Sequence, residues 1–303
     1  MNSNTARLAV RALAVALPVL AIPASVSAQP AQAAPPRPPA AGAPAPALLH
    51  TAPIRATYTA YIAGMRVLEL EAEFALAAQR YEVVTTFRTA GMLSTFIDGQ
   101  QTSRVVGITP ADPSQMLRPE RYSMEGVWRG NQRRILMDYE NGAPRLRALV
   151  PPNDAEREPV PEALQQGTVD MLTALAGLTR SVALTGKCEG GANTFDGRRR
   201  TDFSARTIGT EQLERSSRGI FAGEALVCGF EGRQVAGFMA GYDRAEMERK
   251  REGRAWMARL IADAPPIPVR LTADSGWVGT AQIHLTKVER GTPREAVGRQ
   301  TPN

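Results

Sequence analysis

The stretch TFDGRRRTDF, residues 194–203, places three consecutive arginines, Arg198, Arg199 and Arg200, directly after an Asp-Gly pair. A guanidinium group donates several hydrogen bonds in a fixed planar arrangement that matches the oxygens of phosphates and carboxylates. Such a run is therefore compatible with a phosphate or nucleic-acid site, with a catalytic feature, or with a hairpin that has one basic strand.

The pair Asp196-Gly197 favours the hairpin, because both residue types tolerate the positive φ that a two-residue turn requires. If alternation begins directly after the turn, Arg199 shares a face with Phe203 and Ala205, and the first and third arginines of the run face solvent. We therefore predict that Arg199 points inward. Asp196, Gly197 and the other two arginines are predicted to have structural roles.

A buried guanidinium needs a partner, which can be a carboxylate, a set of backbone carbonyls or a bound anion. For Arg199, an internal salt bridge that closes one end of a barrel is the structural interpretation. Recognition of an anionic group of a ligand is the functional alternative, and it makes Arg199 the candidate ligand-binding residue.

Residues for enzymatic catalysis are few. The sequence has two histidines, of which His50 lies in a low-complexity region and His284 lies in a predicted strand as a partly buried structural residue. No Ser-His-Asp or Cys-His set, metal-ligand spacing or glycine-rich phosphate loop is present. We predict no catalytic residue, no metal and no cofactor. A hydrolase that uses two carboxylates stays an alternative, since the sequence does not say which of its 30 acidic residues would pair.

The two cysteines of the sequence, Cys188 and Cys228, are predicted to form a disulfide if the protein is exported. Two buried free thiols are the alternative. Metal binding by this pair is not expected, because no histidine cluster accompanies it.

The N-terminal region indicates export. Residues 1–28 combine a basic start, a short apolar run and small residues before Ala28, as a secretory signal peptide does. The apolar run is shorter than the roughly 20 residues of a membrane span. Residues 29–53 are mostly alanine and proline and are predicted to be a disordered linker. We expect a soluble periplasmic protein without a transmembrane span after cleavage near Ala28.

The charge gives no separate reason for a nucleic-acid partner. The net charge of the whole sequence is +6, and it becomes smaller when Arg7 and Arg11 leave with the signal peptide. A modest positive charge indicates weak attraction to anionic surfaces, and export makes a nucleic-acid partner less plausible still.

Beyond the linker, the pattern is mainly that of short strands. In residues 67–76 apolar residues alternate with glutamates, as in a strand with one buried face. Asn141-Gly142 is a hairpin turn signal. Strands are predicted at residues 56–62, 67–76, 81–89, 95–108, 120–128, 132–140, 145–150, 198–208, 225–235, 254–261, 268–273 and 277–288.

One segment, residues 167–184, has helical spacing instead. Thr168 is the predicted N-cap, with Asp170 in the first turn, and Gly186 is the predicted stop. Thr173, Arg180 and Ser181 form most of a thin polar face. We predict that this helix packs against the concave side of the sheet; a membrane-active helix is the alternative.

These observations predict a mainly β fold: a curved antiparallel sheet, as a half-barrel or open barrel, packed around one central helix. Residues 54–290 are predicted to form a single β-rich domain. Residues 291–303 are predicted to be a disordered tail.

Four stretches carry a resemblance to a known family: PVP at residues 159–161, GTVDMLTAL at 167–175, FDGRRRTDF at 195–203 and PIPVR at 266–270. Together they resemble the domain-of-unknown-function 3108 family of exported proteobacterial proteins, over roughly residues 55–288. The resemblance implies a Gram-negative periplasmic setting and a curved antiparallel sheet, a shape similar to the half-barrels that carry lipoproteins and other lipids. It implies no activity, so no catalytic residue is carried over.

The function that follows is non-enzymatic binding of an apolar or lipid-like ligand in envelope maintenance. It is expected because the apolar face of the sheet is larger than one helix can cover, and Arg199 would meet an anionic head group. A structural module that recruits an envelope complex is one alternative. A carboxylate-based hydrolase acting, for example, on peptidoglycan is another, and it requires a polar cleft with two acids about 5 to 9 Å apart.

Overall fold

The computed structural model describes residues 52–153, 156–274 and 279–291 of the 303-residue chain. The predicted signal peptide, nearly all of the predicted linker and most of the predicted tail lie outside these residues, and they stay predictions.

The described residues form thirteen strands and four helices. The strands are β1 Ile54–Ile62, β2 Met65–Leu76, β3 Arg80–Thr89, β4 Gly99–Ile108, β5 Arg118–Trp128, β6 Asn131–Glu140, β7 Ala143–Val150, β8 Gly190–Phe195, β9 Arg200–Leu213, β10 Gly223–Ala236, β11 Arg251–Ala258, β12 Ile267–Asp274 and β13 Thr280–Arg290. The helices are α1 Leu93–Phe96, α2 Glu162–Gln165, α3 Met171–Thr185 and α4 Arg244–Glu248.

All thirteen strands belong to one antiparallel sheet in the order β7-β6-β5-β4-β3-β2-β1-β13-β12-β11-β10-β9-β8. Each half of the chain forms a meander, and the pairing of β1 with β13 joins the two halves. The sheet is therefore mainly built from local hairpins, and its two edges, β7 and β8, belong to opposite halves. The sheet curves until it nearly closes into a barrel, which confirms the mainly β prediction.

Hairpin turns form where the sequence predicts them. Asn141 and Gly142 have φ values of 52° and 76° between β6 and β7, the left-handed conformations of a two-residue turn. Several strand predictions need correction: β9 begins at Arg200 rather than at residue 198, and β11 spans Arg251–Ala258 rather than residues 254–261. The strand predicted from residue 95 begins only at Gly99, because residues 93–96 close a helical turn through Ile97 N and Leu93 O. β8 was not predicted as a strand, since its first two residues are glycines and weaken the strand pattern.

Helix α3 begins two residues later than its predicted cap suggests. The N-cap is Asp170, whose carboxylate accepts a hydrogen bond from Thr173 N at 2.9 Å. Thr168 was the predicted cap, but its hydroxyl donates to Gln165 O at 2.7 Å instead. Gly186 has a φ of 69° and ends the helix, as predicted.

The predicted polar face of α3 is wrong. Thr173 and Arg180 are buried, whereas Leu175 is exposed. Burial of the two polar side chains is possible because each has hydrogen-bond partners from distant parts of the chain: Tyr81 for Thr173, and carbonyls of residues 110–115 for Arg180. Ala176 packs in the core of the first half of the sheet with Tyr81, and Val182 packs with residues of β10 and β11. The helix thus contacts both halves; packing of the sheet around α3 as its central helix stays a prediction.

Cys188 and Cys228 form the predicted disulfide, with 5.5 Å between their Cα atoms. Both residues are fully buried, and Val182, Ala255 and Met257 surround them. The bond therefore links the end of α3 to β10 within the core.

The edge strand β8 is covered by the segment that leads into α3. Val169 donates to Asn193 O at 2.9 Å and accepts from Phe195 N at 2.8 Å, in a parallel bridge. Covering an edge in this way removes backbone groups that would otherwise pair with another chain. Among the described residues, no helix has the length and apolar character needed to cross a membrane.

Candidate functional site: the cavity beside α3

An open cavity of about 490 Å³ lies along one side of α3. Its walls are the helix, residues 113–117 of the connection between β4 and β5, the first half of β8, and Phe203 and Ala205 of β9. Most of the lining is apolar. Small-molecule sites typically have roughly 300–1,000 Å³ of volume and a mostly apolar lining, so this cavity has the dimensions of a ligand site.

The cavity exists because small residues lie on both of its walls. The helix contributes Ala174 and Gly177, and the sheet contributes residues 190–192 and Ala205. A Cβ atom placed on Gly177 would meet no heavy atom within 4 Å. A larger side chain at this position would therefore fill the cavity without displacing its wall.

None of these small residues was singled out in the sequence. Gly177 could have been recognised, because a glycine inside a helix lowers the stability of the helix by about 1 kcal/mol relative to alanine. A glycine at such a position therefore indicates a role other than helix formation. The glycines and alanines of β8 and β9 gave no such signal, since only the fold brings them opposite the helix.

Arg180 binds the connection between β4 and β5, which forms one wall of the cavity. Its guanidinium donates to the carbonyls of Pro110 at 3.0 Å and of Pro113 and Gln115 at 3.1 Å. Burial lowers the pKa of Arg180, and the charge of Asp112 partly offsets this effect. Because backbone oxygens already occupy its donors, Arg180 acts as a structural clamp rather than as a free cation.

The other polar groups of the lining are also engaged. Ser181 donates to backbone oxygens of the segment after the helix, and Thr185 donates to Ser181 O at 2.8 Å. Glu189, the one acid among the described lining residues, accepts a hydrogen bond from Thr207 N at 3.3 Å. The cavity therefore presents a largely apolar interior with hydroxyl groups along part of its lining. The described part of its lining contains no pair of carboxylates of the kind that the hydrolase alternative requires.

A buried polar network holds the start of α3. Asp170 Oδ2 accepts from the Thr173 hydroxyl at 2.6 Å, and that hydroxyl lies 2.7 Å from the Tyr81 hydroxyl. Burial raises the pKa of Asp170 to about 6, although hydrogen bonds from Thr173 oppose the shift. The network fixes the helix to β3 and includes a carboxylate that resists ionisation.

The raised pKa of Asp170 predicts a pH dependence of stability. Below its ordinary pKa of 3.8 the carboxyl is protonated in both the folded and the unfolded protein. Between pH 3.8 and about 6 only the folded protein keeps the proton. This group's contribution to the free energy of unfolding should therefore fall by about 3 kcal/mol as the pH rises from about 4 to 7. In Asp170→Asn this contribution is removed, while the amide can still cap the helix.

Urea unfolding of the wild type and of Asp170→Asn at pH 4, 5, 6 and 7 measures this difference. Asp112→Asn is the matched control. Asp112 is exposed, and hydrogen bonds from Ser114 lower its pKa, so its contribution should change with the opposite sign. A difference between wild type and Asp170→Asn that stays constant with pH would contradict the burial argument.

The arginine stretch forms a longer turn than predicted. Asp196 Oδ1 accepts hydrogen bonds from the N–H groups of Arg198 and Arg199, both at 2.9 Å, and Gly197 has a φ of 89°. The turn consequently contains four residues, and alternation begins at Arg200. This shift reverses the predicted orientation of the first two arginines.

Arg198, predicted to face solvent, is the buried arginine. Its guanidinium donates to Val150 O and Pro151 O, both at 2.8 Å, and lies 3.7 Å from a carboxylate oxygen of Glu156. Burial lowers its pKa, as does the nearby charge of Arg133. Because Val150 ends β7 and Arg198 follows β8, this side chain joins the two edges of the sheet. Arg200 was also predicted to face solvent; its side chain is only 16% exposed and pairs with Asp202 at 3.0 Å.

Arg199, predicted to be buried, has a side chain that is 51% exposed and pairs with Asp196 at 2.8 Å. The charge of Asp196 raises its pKa, and the buried Tyr122 adds to this effect. Arg199 is not among the residues that line the cavity beside α3, so the structure does not bring the predicted ligand-binding residue together with that cavity.

The described residues offer little other chemistry. They contain no group of three or more His, Cys, Asp or Glu side chains placed to hold a metal ion. His284 is buried, and the charged groups that shift its pKa are two arginines, Arg218 and Arg270. Its surroundings therefore do not resemble those of a catalytic base, which is oriented by a carboxylate.

Comparison with known proteins assigns the chain to a family. The chain is similar to a solved structure, the beta-barrel-like protein of domain of unknown function DUF1849 from Brucella abortus, with 14% identity and a TM-score of 0.49. That match covers 81% of this chain and 100% of the other. No curated protein matches the chain. Residues 57–286 match the family model described as "Protein of unknown function (DUF3108)". Since this match spans well over half of the sequence, the chain belongs to the DUF3108 family, the family that its motifs resemble.

Proposed function

We propose that this protein is exported to the periplasm and binds an apolar or lipid-like ligand, without catalysis, in the cavity beside α3. The observation that carries the proposal is the cavity itself, which small residues of the helix and of the sheet keep open. Its volume of about 490 Å³ and its mostly apolar lining suit an acyl chain or a ligand of similar chemistry.

The engaged polar groups limit which part of the ligand enters. Arg180 is bonded to backbone carbonyls, so the described lining residues supply no free cation for an acidic head group. We infer that the apolar part of the ligand fills the space between α3 and β8 and that its polar end stays in water. A role of Arg199 in contacting an anionic head group stays a prediction.

The disulfide supports the exported setting. Disulfides persist in oxidising compartments such as the bacterial periplasm and are rare in the cytosol. The bond between Cys188 and Cys228 lies close to the C-terminal end of α3, so oxidation would also fix one wall of the proposed site.

Cavity-filling variants at Gly177 test the proposal. Gly177→Phe should occupy the cavity and weaken binding of a fluorescent fatty acid at least tenfold, whereas Gly177→Ala should bind like wild type. The alanine variant is the matched control, because it should stabilise the helix by about 1 kcal/mol and leave most of the cavity open. Fluorescence titration measures binding, and thermal melting verifies that both variants fold. Equal binding by all three proteins, or no binding by the wild type, would contradict the proposal.

Exposed apolar side chains favour a second function, the interaction module. Met92 and Phe96 lie on the connection between β3 and β4 and are 72% and 79% exposed. Large apolar residues grouped on a surface often mark a contact with another protein.

Crosslinking in the periplasm from a photoreactive residue at position 96 should then capture a protein partner. A crosslinking pattern unchanged from that of an exposed polar position would contradict the interaction module.

A further inference from the structure

Another cavity, of about 240 Å³, lies on the half of the sheet that contains β8 to β13. The connection between β9 and β10 forms one wall, and side chains of β12 and β13 form the other. Three of its residues, Arg218, Arg270 and His284, can carry positive charge, and the hydroxyl-bearing residues Ser216 and Ser217 also line it. Nothing in the proposed binding of an apolar ligand uses this cluster.

Aromatic rings hold the two arginines in place. The guanidinium of Arg218 lies 4.8 Å from the ring centre of Tyr61, and that of Arg270 lies 4.8 Å from the ring centre of Trp256. Arg218 also donates to Gln282 Oε1 at 3.3 Å. Stacking of this kind restrains a guanidinium without neutralising it. Within the described ranges, neither arginine forms an ion pair with an acidic side chain.

Two buried nitrogen atoms of the cluster have no hydrogen-bond partner among the described residues. They are Nε of Arg270 and Nε2 of His284, a residue that is only 7% exposed. Buried polar atoms are nearly always paired in folded proteins, so each such atom calls for an explanation. A bound anion beside these groups would accept a hydrogen bond from Arg270 Nε and, when the imidazole carries its proton on Nε2, from His284.

No acidic side chain of the described residues forms an ion pair with the charged groups of the cluster. Burial lowers the pKa of His284, and the charges of Arg270 and Arg218 lower it further. Two acids are near. Glu211 accepts a hydrogen bond from Trp256 Nε1 at 2.9 Å, and Glu214 lines the cavity but is exposed to solvent. Neither carboxylate forms an ion pair with the arginines among the described residues.

We propose that this cavity binds a phosphate group, held by Arg218 and Arg270 with His284 and the adjacent serine hydroxyls completing the contacts. Two guanidinium groups match the charge and the oxygen geometry of a phosphate. The cavity is smaller than typical sites for whole drug-sized ligands, so it suits a phosphate group rather than a large molecule. The group can belong to free phosphate or to the head group of a phospholipid.

Isothermal titration calorimetry with inorganic phosphate, at constant ionic strength, tests the proposal on the full chain. Wild type should bind, and Arg218→Gln and Arg270→Gln should each weaken binding roughly ten- to hundredfold, as loss of a hydrogen bond to a charged group does. Arg254→Gln is the matched control, because Arg254 is exposed on β11 and does not line this cavity. Arg218 is only partly buried, so Arg218→Gln should fold. If Arg270→Gln fails to fold, phosphate binding by Arg218→Gln alone tests the proposal.

Vesicles of phosphatidylcholine with and without phosphatidic acid distinguish the two sources of phosphate. Binding to inorganic phosphate identifies the free ion as sufficient. Binding only to vesicles with phosphatidic acid, lost in Arg218→Gln, identifies a lipid head group. The site is independent of the cavity beside α3, so Gly177→Phe should bind phosphate like wild type. No binding in either assay, or binding that Arg218→Gln leaves unchanged, would overturn the proposal.

Discussion

Replacing Cys188 and Cys228 together by alanine should lower the free energy of unfolding by about 4 kcal/mol. The disulfide closes a loop with a sequence separation of 40 residues, and closing a loop of this length removes that much chain entropy from the unfolded state. Alanine avoids placing a polar group in the core, where both cysteines are fully buried beside Val182 and Met257.

Urea unfolding of oxidised wild type and of the double variant measures the loss. Reduced wild type is the control, because it should approach the stability of the variant, whereas the variant itself should not respond to reductant. The variant should also bind the fluorescent fatty acid more weakly, since the bond lies at the end of the helix that lines the cavity. A loss below about 1 kcal/mol would show that the chain-entropy estimate does not apply here.

Arg198→Met should destabilise the protein by about 3 kcal/mol. The buried guanidinium donates to Val150 O and Pro151 O and lies near Glu156. Its loss leaves two carbonyls without their charged donor, and a hydrogen bond to a charged group contributes about 1.5–3 kcal/mol. Glu156 keeps Arg133 as its partner. Methionine keeps most of the side-chain volume, so the loss would reflect the polar contacts rather than a void.

Arg199→Met is the matched control within the same turn. Its side chain is half exposed and pairs only with Asp196 in the described residues, and exposed ion pairs contribute about 1 kcal/mol or less. Hydrogen exchange should show faster opening of β7 and β8 in Arg198→Met than in Arg199→Met. Equal effects of the two substitutions would mean that Arg198 does not join the edges of the sheet.

The sequence predicted most of the sheet because its signals are local. Alternation in residues 67–76 and the Asn141-Gly142 pair depend on neighbouring residues alone, and both predictions agree with β2 and with the turn between β6 and β7. Gly186 was likewise recognisable as a helix end, because its left-handed conformation is a property of the residue type.

The orientation of the arginines was not predictable in the same way. The predicted orientations assumed that the strand begins directly after a two-residue turn. The Asp196 carboxylate instead accepts hydrogen bonds from the backbone N–H groups of Arg198 and Arg199 and extends the turn. A side chain that competes with the strand ladder for backbone groups changes the register of every residue that follows.

The candidate site depended even more on contacts between distant residues. Arg180 was assigned to a polar face because the sequence does not reveal that carbonyls of residues 110–115 come to meet it. The cavity forms only where Gly177 of the helix lies across from small residues of β8. Such a space is a property of the fold, and no single segment encodes it.

Native mass spectrometry of the protein purified from the periplasm of a bacterial host tests the central claim most directly. We expect wild type and Gly177→Ala to carry an apolar adduct that organic extraction releases and identifies, and Gly177→Phe to lack it. Wild-type protein that is reproducibly free of any adduct, and that takes up none when mixed with lipid extract, would contradict ligand binding in the cavity beside α3.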